Sequence, residues 1–80
     1  MGDGINIMKA TYDAQADAAY FYLSKEVSTP QTRRIDDDIN MDFDDKGRLV
    51  GIEILSASER LDLGYLKPFL TRIDKVADRG

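Results

Sequence analysis

Apolar and polar residues alternate along residues 36–55, and the alternation is interrupted at Asp44-Asp45-Lys46-Gly47. Because successive side chains of a strand point to opposite faces, the pattern predicts two strands, 32–43 and 48–55, joined as a β-hairpin. Gly47 suits the turn because it adopts positive φ without steric cost. Asp37 falls on the apolar side of the alternation, which predicts a bulge or bend at that point.

Two earlier segments, 7–12 and 18–24, show a shorter alternation and predict two more strands. The three consecutive aromatic residues at 20–22 favour a strand over a helix of seven residues. In that strand Tyr20 and Tyr22 face one side and Phe21 faces the other.

Two helices are predicted after the hairpin. Ser56 and Glu59 have the spacing of a capping box, which predicts a short helix at 57–61. Apolar residues at helical spacing predict an amphipathic helix at about 66–77, with Pro68 in its first turn. The predicted fold is therefore α+β, a four-stranded antiparallel meander with both helices packed on one face.

The chain of 80 residues predicts one domain, with residues 1–6 as a flexible lead-in. It has no cysteine and no histidine, so the usual ligand sets for zinc, haem and iron–sulfur clusters are missing, as are Ser-His and Cys-His pairs. We therefore expect no cofactor and no enzymatic activity. A sheet of four strands leaves two open edges, which predicts a homodimer.

The charge and the hydropathy of the chain also limit the classes of molecule that it is expected to contact. No apolar run approaches the roughly 20 residues needed to cross a bilayer, and the first residues do not resemble a signal peptide, so we expect a cytoplasmic protein without membrane contact. Residues 1–59 carry 6 basic and 12 acidic side chains, a net charge of −6, whereas residues 60–80 carry a net +2. Such an acidic domain is not expected to bind nucleic acid, which requires clustered cations.

Two separated motifs carry a family resemblance. They read YDAQADAAYFYL at 12–23 and DFDDKGRLVGIEILSAS at 42–58. In this order they resemble the prokaryotic domain-of-unknown-function family 2283, over about residues 8–61. The resemblance implies no assigned activity and no catalytic residues. Because members often sit beside genes resembling small ribonuclease toxins, it implies an antitoxin-like partner protein as one candidate role. Residues 62–80 lie outside the motifs and form a C-terminal extension.

One motif is similar to a calcium-binding EF-hand loop. Its positions 1, 3, 5, 6 and 12 would be Asp42, Asp44, Lys46, Gly47 and Glu53. The fifth position, however, is a cation where an oxygen ligand is required, and strands flank the loop where an EF-hand has helices. We therefore interpret the loop as a hairpin turn.

The strand at 32–43 places a row of acidic and amide side chains on one face, about 6.6 Å apart. The row consists of Asp36, Asp38, Asn40 and Asp42. It is suited to a basic protein, or to a divalent metal held by the three aspartates, and a plain solvated face is the structural alternative.

Tyr20, Tyr22 and Glu53 are predicted to lie near this row. Exposed tyrosines are favoured at protein interfaces, and cross-strand packing on an open face is the structural alternative. The sequence thus predicts a non-catalytic protein-interaction module, antitoxin-like by resemblance, with a basic partner. Two alternatives remain: a small domain that binds a metal or ligand through its acidic face, and a purely structural homo-oligomer.

Overall fold

The computed structural model describes residues 9–25 and 27–73, which form an α+β fold around one mostly antiparallel sheet of six strands. The strands are β1 Lys9–Asp13, β2 Ala18–Tyr22, β3 Gln31–Asp36, β4 Ile39–Phe43, β5 Leu49–Leu55 and β6 Thr71–Ile73. The helices are α1 Ala57–Arg60 and α2 Leu63–Leu66, followed by a 3-10 turn at Lys67–Phe69. The predicted lead-in, 1–6, lies outside the described residues. Within the described ranges, the helices are too short and too polar to span a bilayer.

The strand order is β3-β4-β5-β2-β1-β6, and β6 lies parallel to β1 while all other neighbours are antiparallel. The prediction of a simple four-stranded meander is therefore wrong. The hairpin β1–β2 and the three-stranded meander β3–β4–β5 are joined by the pairing of β2 with β5, and β3, the next strand after β2 in the sequence, lies at the far edge of the sheet.

The predicted strand 32–43 is in fact two strands, β3 and β4, separated by a tight turn at Asp37–Asp38. A two-residue turn preserves the alternation, so the hydrophobic pattern could not reveal it. The bulge or bend predicted at Asp37 is present as a register shift between Arg34 and Asp36, just before the turn. Ile35 shares the parity of the apolar residues Ile39 and Met41, but it is 51% exposed because β3 is the edge strand.

The predicted helix at 66–77 is also wrong over the described residues. The chain forms α2 and a 3-10 turn containing Pro68, and then becomes extended at Leu70 and continues as β6. Proline is tolerated in a first turn, and the β-branched residues Thr71 and Ile73 favour the strand that follows. Residues 74–77 of this prediction lie outside the described part of the chain.

The short helices pack on the apolar face of the sheet, which agrees with the prediction for the helix at 57–61, whereas α2 was not predicted. Ala57 of α1 is fully buried against Ala19 of β2 and Ile54 of β5. Leu61 and Leu63, which flank the start of α2, pack against the same cluster. This arrangement leaves the opposite face of the sheet without a helix among the described residues.

The start of α1 differs from the predicted capping box. Ser56 takes a left-handed conformation, with φ 52°, and its side chain makes no cap. Asp17, in the β1–β2 turn, caps the helix instead: its Oδ1 accepts from the Ser58 amide at 2.9 Å, and its carbonyl oxygen accepts from the Ala57 amide at 2.9 Å. An aspartate remote in sequence therefore supplies, through its carboxylate and its carbonyl oxygen, the acceptors that a helix start requires.

Candidate binding site on the tyrosine face

The sheet face opposite the helices is named the tyrosine face. The strand register places on it side chains of β1, β2, β4 and β5: Thr11, Asp13, Ala18, Tyr20, Tyr22, Asn40, Asp42 and Glu53. Four of the predicted site residues, the two tyrosines with Asp42 and Glu53, therefore share a face.

Tyr20 crosses the neighbouring strand to reach Asp42. Its hydroxyl donates to Asp42 Oδ2 at 2.6 Å, and the Thr32 hydroxyl donates to Oδ1 of the same carboxylate at 2.5 Å. Burial raises the pKa of Tyr20 well above its usual range, and the hydrogen bond to Asp42 raises it further. Asp42 is thus engaged within the fold, and it fixes the position of the Tyr20 ring.

Tyr22 packs edge-on against Tyr20, with ring centroids 4.6 Å apart. The Lys9 ammonium lies over the Tyr22 ring, 4.8 Å from its centroid. An aromatic ring face attracts a cation through its quadrupole, and in the fold Lys9 occupies this position at Tyr22.

A cavity of about 410 Å³ opens on the tyrosine face beside Ala18. It forms because β2 presents a small side chain, Ala18, next to a large one, Tyr20. Its polar lining comes from Thr11, Asp13, Tyr20, Tyr22, Ser24, Lys25 and Glu53. This volume lies within the range of small-ligand sites in proteins.

Two carboxylates line the cavity. Asp13 is 7% exposed, and its Oδ1 accepts hydrogen bonds from the amides of Gln15 and Ala16 in the adjoining turn. Glu53 is half-buried and accepts a hydrogen bond at 3.0 Å from the Asn40 side-chain amide. A buried carboxylate is stabilised by donors or by a cation, so this lining favours a cationic ligand.

The other predicted acids do not join this site. Because of the register shift in β3, Asp36 pairs with Ile39, an apolar residue of β4 that does not belong to the tyrosine face. Asp38 lies in the turn. Arg60 of α1 donates to Asp36 Oδ2 at 3.2 Å and to Asp38 Oδ2 at 3.0 Å. The pKa of Asp36 is lowered, first by the amide of Asp38 and then by Arg60. The predicted continuous acidic row is therefore divided between two places.

The calcium-like motif forms a hairpin turn, as interpreted from the sequence. Asp44 Oδ1 accepts from the amides of Lys46 and Arg48 at 2.9 and 2.8 Å, and Oδ2 accepts from the Arg48 side chain at 2.8 Å. Gly47 takes φ 80°. Across residues 9–25 and 27–73, no three acidic side chains are grouped as a metal site would require.

Among the cavity residues that sequence reasoning missed are Asp13, Ala18 and Lys25. Asp13 lies one residue beyond the predicted strand 7–12, but it has the same parity as Thr11 and is the last residue of β1. Extending that alternation would have placed Asp13 opposite Ala18 on the tyrosine face. Lys25 lies in an irregular segment whose position no periodicity predicts.

The family model described as "Protein of unknown function (DUF2283)" matches residues 9–58, more than half of the chain. The chain belongs to this family. The predicted family resemblance is thereby confirmed. The DUF2283 match spans β1 to β5 and the first residues of α1, so the residues lining the cavity all lie within it. No curated protein and no solved structure matches the chain significantly.

Proposed function

We propose that this protein is a non-catalytic, cytoplasmic protein-binding module and that its tyrosine face contacts a basic partner protein. The main support for this proposal is that Tyr20, Tyr22 and Glu53 surround one cavity on the sheet face that the described helices leave open. The antitoxin-like character of this role rests on the family resemblance.

The chemistry of the tyrosine face supports a protein partner. Tyrosine is enriched at interfaces because its ring buries a large area while its hydroxyl keeps a hydrogen-bond partner. The Tyr20 ring is held in place by Asp42, so little conformational entropy is lost when a partner binds. The net charge of −4 attracts a basic protein and accelerates association at low salt.

The absence of histidine supports the non-catalytic part of the proposal. Histidine is the most common base that activates a nucleophilic hydroxyl, and the sequence contains none. The hydroxyl of Ser24, at the cavity, donates instead to a backbone carbonyl, that of Lys25, at 3.2 Å.

The test is co-expression with the basic product of an adjacent gene, followed by co-purification at low salt and titration calorimetry. Tyr22→Ala combined with Glu53→Gln is expected to weaken the complex at least about tenfold, as loss of interface anchors does. The matched control, Tyr65→Ala combined with Glu59→Gln, removes exposed groups off the tyrosine face and should leave the affinity unchanged. Absence of a complex, or equal affinity of both double variants, would overturn the proposal.

A structural homo-oligomer is a second candidate, favoured by two exposed aromatic side chains near the end of the described chain. Tyr65 is 72% and Phe69 58% exposed. Neighbouring exposed aromatic residues are typical of a contact surface. Sedimentation at micromolar concentration should show a dimer that Phe69→Ser dissociates, and a monomeric wild-type protein would count against this candidate.

A further inference from the structure

We infer that the cavity beside Ala18 binds one guanidinium group, that of an arginine side chain of the basic partner, an inference that rests on the proposed function. The cavity has a small-residue floor, a buried carboxylate at one end and aromatic rings at the other. These three features together select a planar cation over an apolar or an anionic group.

The shape of the cavity comes from the sequence of β2 and from the segment that follows it. Ala16 and Ala18 are small and form the floor, whereas Tyr20 forms a wall. The segment after β2 closes another side through Val27 and Pro30. Because these walls belong to strands and to a proline-containing segment, the cavity is formed before a ligand enters, which reduces the entropic cost of binding.

Asp13 supplies the charge at the inner end. It is 7% exposed, and both of its amide donors, Gln15 and Ala16, meet the same oxygen, Oδ1. Among the described residues no donor meets Oδ2. A carboxylate so poorly hydrated gains strongly from a charge-assisted hydrogen bond, and guanidinium offers several N–H donors in a rigid plane.

The tyrosine pair supplies the second contact. The Lys9 ammonium lies 4.8 Å from the Tyr22 ring centroid, so an incoming guanidinium displaces this exposed lysine in order to stack on the ring. A guanidinium also stacks on aromatic faces and is less strongly hydrated than an ammonium, which favours arginine over lysine as the ligand.

The remaining charged groups define the entrance. Glu53 lies two strands from Asp13 and two residues further along the sheet, about 12 Å away by strand geometry, so a single guanidinium contacts Asp13 while Glu53 contributes attraction at longer range. Lys25 is exposed and its ammonium is solvated, so it lowers this attraction only modestly. The lining as a whole carries one net negative charge.

The test is an NMR titration of the purified protein with arginine amide as the probe. Saturable shifts are expected at the amides of Thr11, Asp13 and Ala18. Asp13→Asn keeps an oxygen for the turn amides but removes the charge, and Ala18→Leu fills the cavity, so each should weaken binding at least about tenfold. The matched controls Asp45→Asn and Ala14→Leu change exposed turn residues and should bind as the wild type does.

Lysine amide should bind more weakly than arginine amide. An absence of saturable shifts, or equal binding by the wild type, Asp13→Asn and Ala18→Leu, would overturn the inference. If the partner complex forms but does not respond to Ala18→Leu, the cavity inference fails while the proposed function stands. If arginine amide binds but no protein complex forms, the guanidinium site stands and the protein-binding role fails.

Discussion

The Tyr20 hydroxyl and the Asp42 carboxylate are hydrogen bonded at 2.6 Å although the strand β5 lies between them. The ring spans this strand at Gly51, where a Cβ atom would overlap the hydroxyl and the ring of Tyr20. Residue 51 must therefore be glycine, because the Tyr20 side chain lies against its backbone.

Gly51→Ala should destabilise the fold by about 1–3 kcal/mol, because the methyl group forces Tyr20 away from Asp42 and breaks their hydrogen bond. Urea unfolding measures the loss. Gly64→Ala is the matched control: its Cβ would meet only Asp62 at 3.6 Å, within helix α2, where alanine is favoured. Equal stability of Gly51→Ala and wild type would contradict this account of the tyrosine face.

Alkaline pH should unfold the protein partly through Tyr20, whose pKa is raised by burial and by Asp42. An unfolded tyrosine titrates near pH 10, so the stabilisation is complete below about pH 10 and is lost as the pH rises towards the folded-state pKa. In Tyr20→Phe the stability should be lower at neutral pH and should fall less steeply above about pH 10. Tyr65→Phe, which removes an exposed hydroxyl, should keep the wild-type slope.

Asp17→Ala should lower the melting temperature and expose the first amides of α1 to hydrogen exchange. The carboxylate accepts from the Tyr12 hydroxyl at 2.8 Å and from the Ser58 hydroxyl at 2.7 Å, and the second of these bonds contributes most to lowering the pKa of Asp17. This stabilisation is present above the unfolded pKa, about 3.9, and is lost as the pH falls through the folded value. Glu59→Ala, a charge change in the same helix, should leave exchange in α1 nearly unchanged; similar exchange in both variants would argue against Asp17 as the cap.

Calcium at about 1 mM should not raise the melting temperature, because a ligand stabilises only the state it binds and Asp44 is already occupied by its own turn. A calcium-dependent rise in melting temperature that Asp44→Asn removes would restore the metal interpretation.

Gly47→Ala should lower the free energy of unfolding by about 1 kcal/mol, since alanine is strained at φ 80°. Asp45→Ala, in the same turn, is the neutral control.

The features that could be predicted from the sequence are those that depend on local alternation and on the residues of a turn. The β4–β5 turn with Gly47, the strand character of the aromatic run, and the common face of Tyr20, Asp42 and Glu53 all follow from a period of two. The same period hid the Asp37–Asp38 turn, because a two-residue turn leaves the parity unchanged.

Local sequence patterns could not predict the contacts between residues that are far apart in the sequence. Asp17 caps a helix start 41 residues away, and Arg60 holds Asp36 from 24 residues away. The apolar spacing after Leu66 fits a helix, but pairing with β1 makes Thr71–Ile73 a strand. Asp13 became a candidate site residue only when the register placed it beside Ala18.

The pairing of β2 with β5 also determines how this chain assembles. The β1–β2 hairpin and the β3–β4–β5 meander consist of local contacts, and bringing them together requires closing the loop formed by residues 23–50. The cavity lies across this junction, with Asp13 and Ala18 on the first unit and Glu53 and Leu55 on the second. Because a guanidinium in this cavity binds only the folded state, in which the junction is closed, its binding would oppose separation of the two folding units.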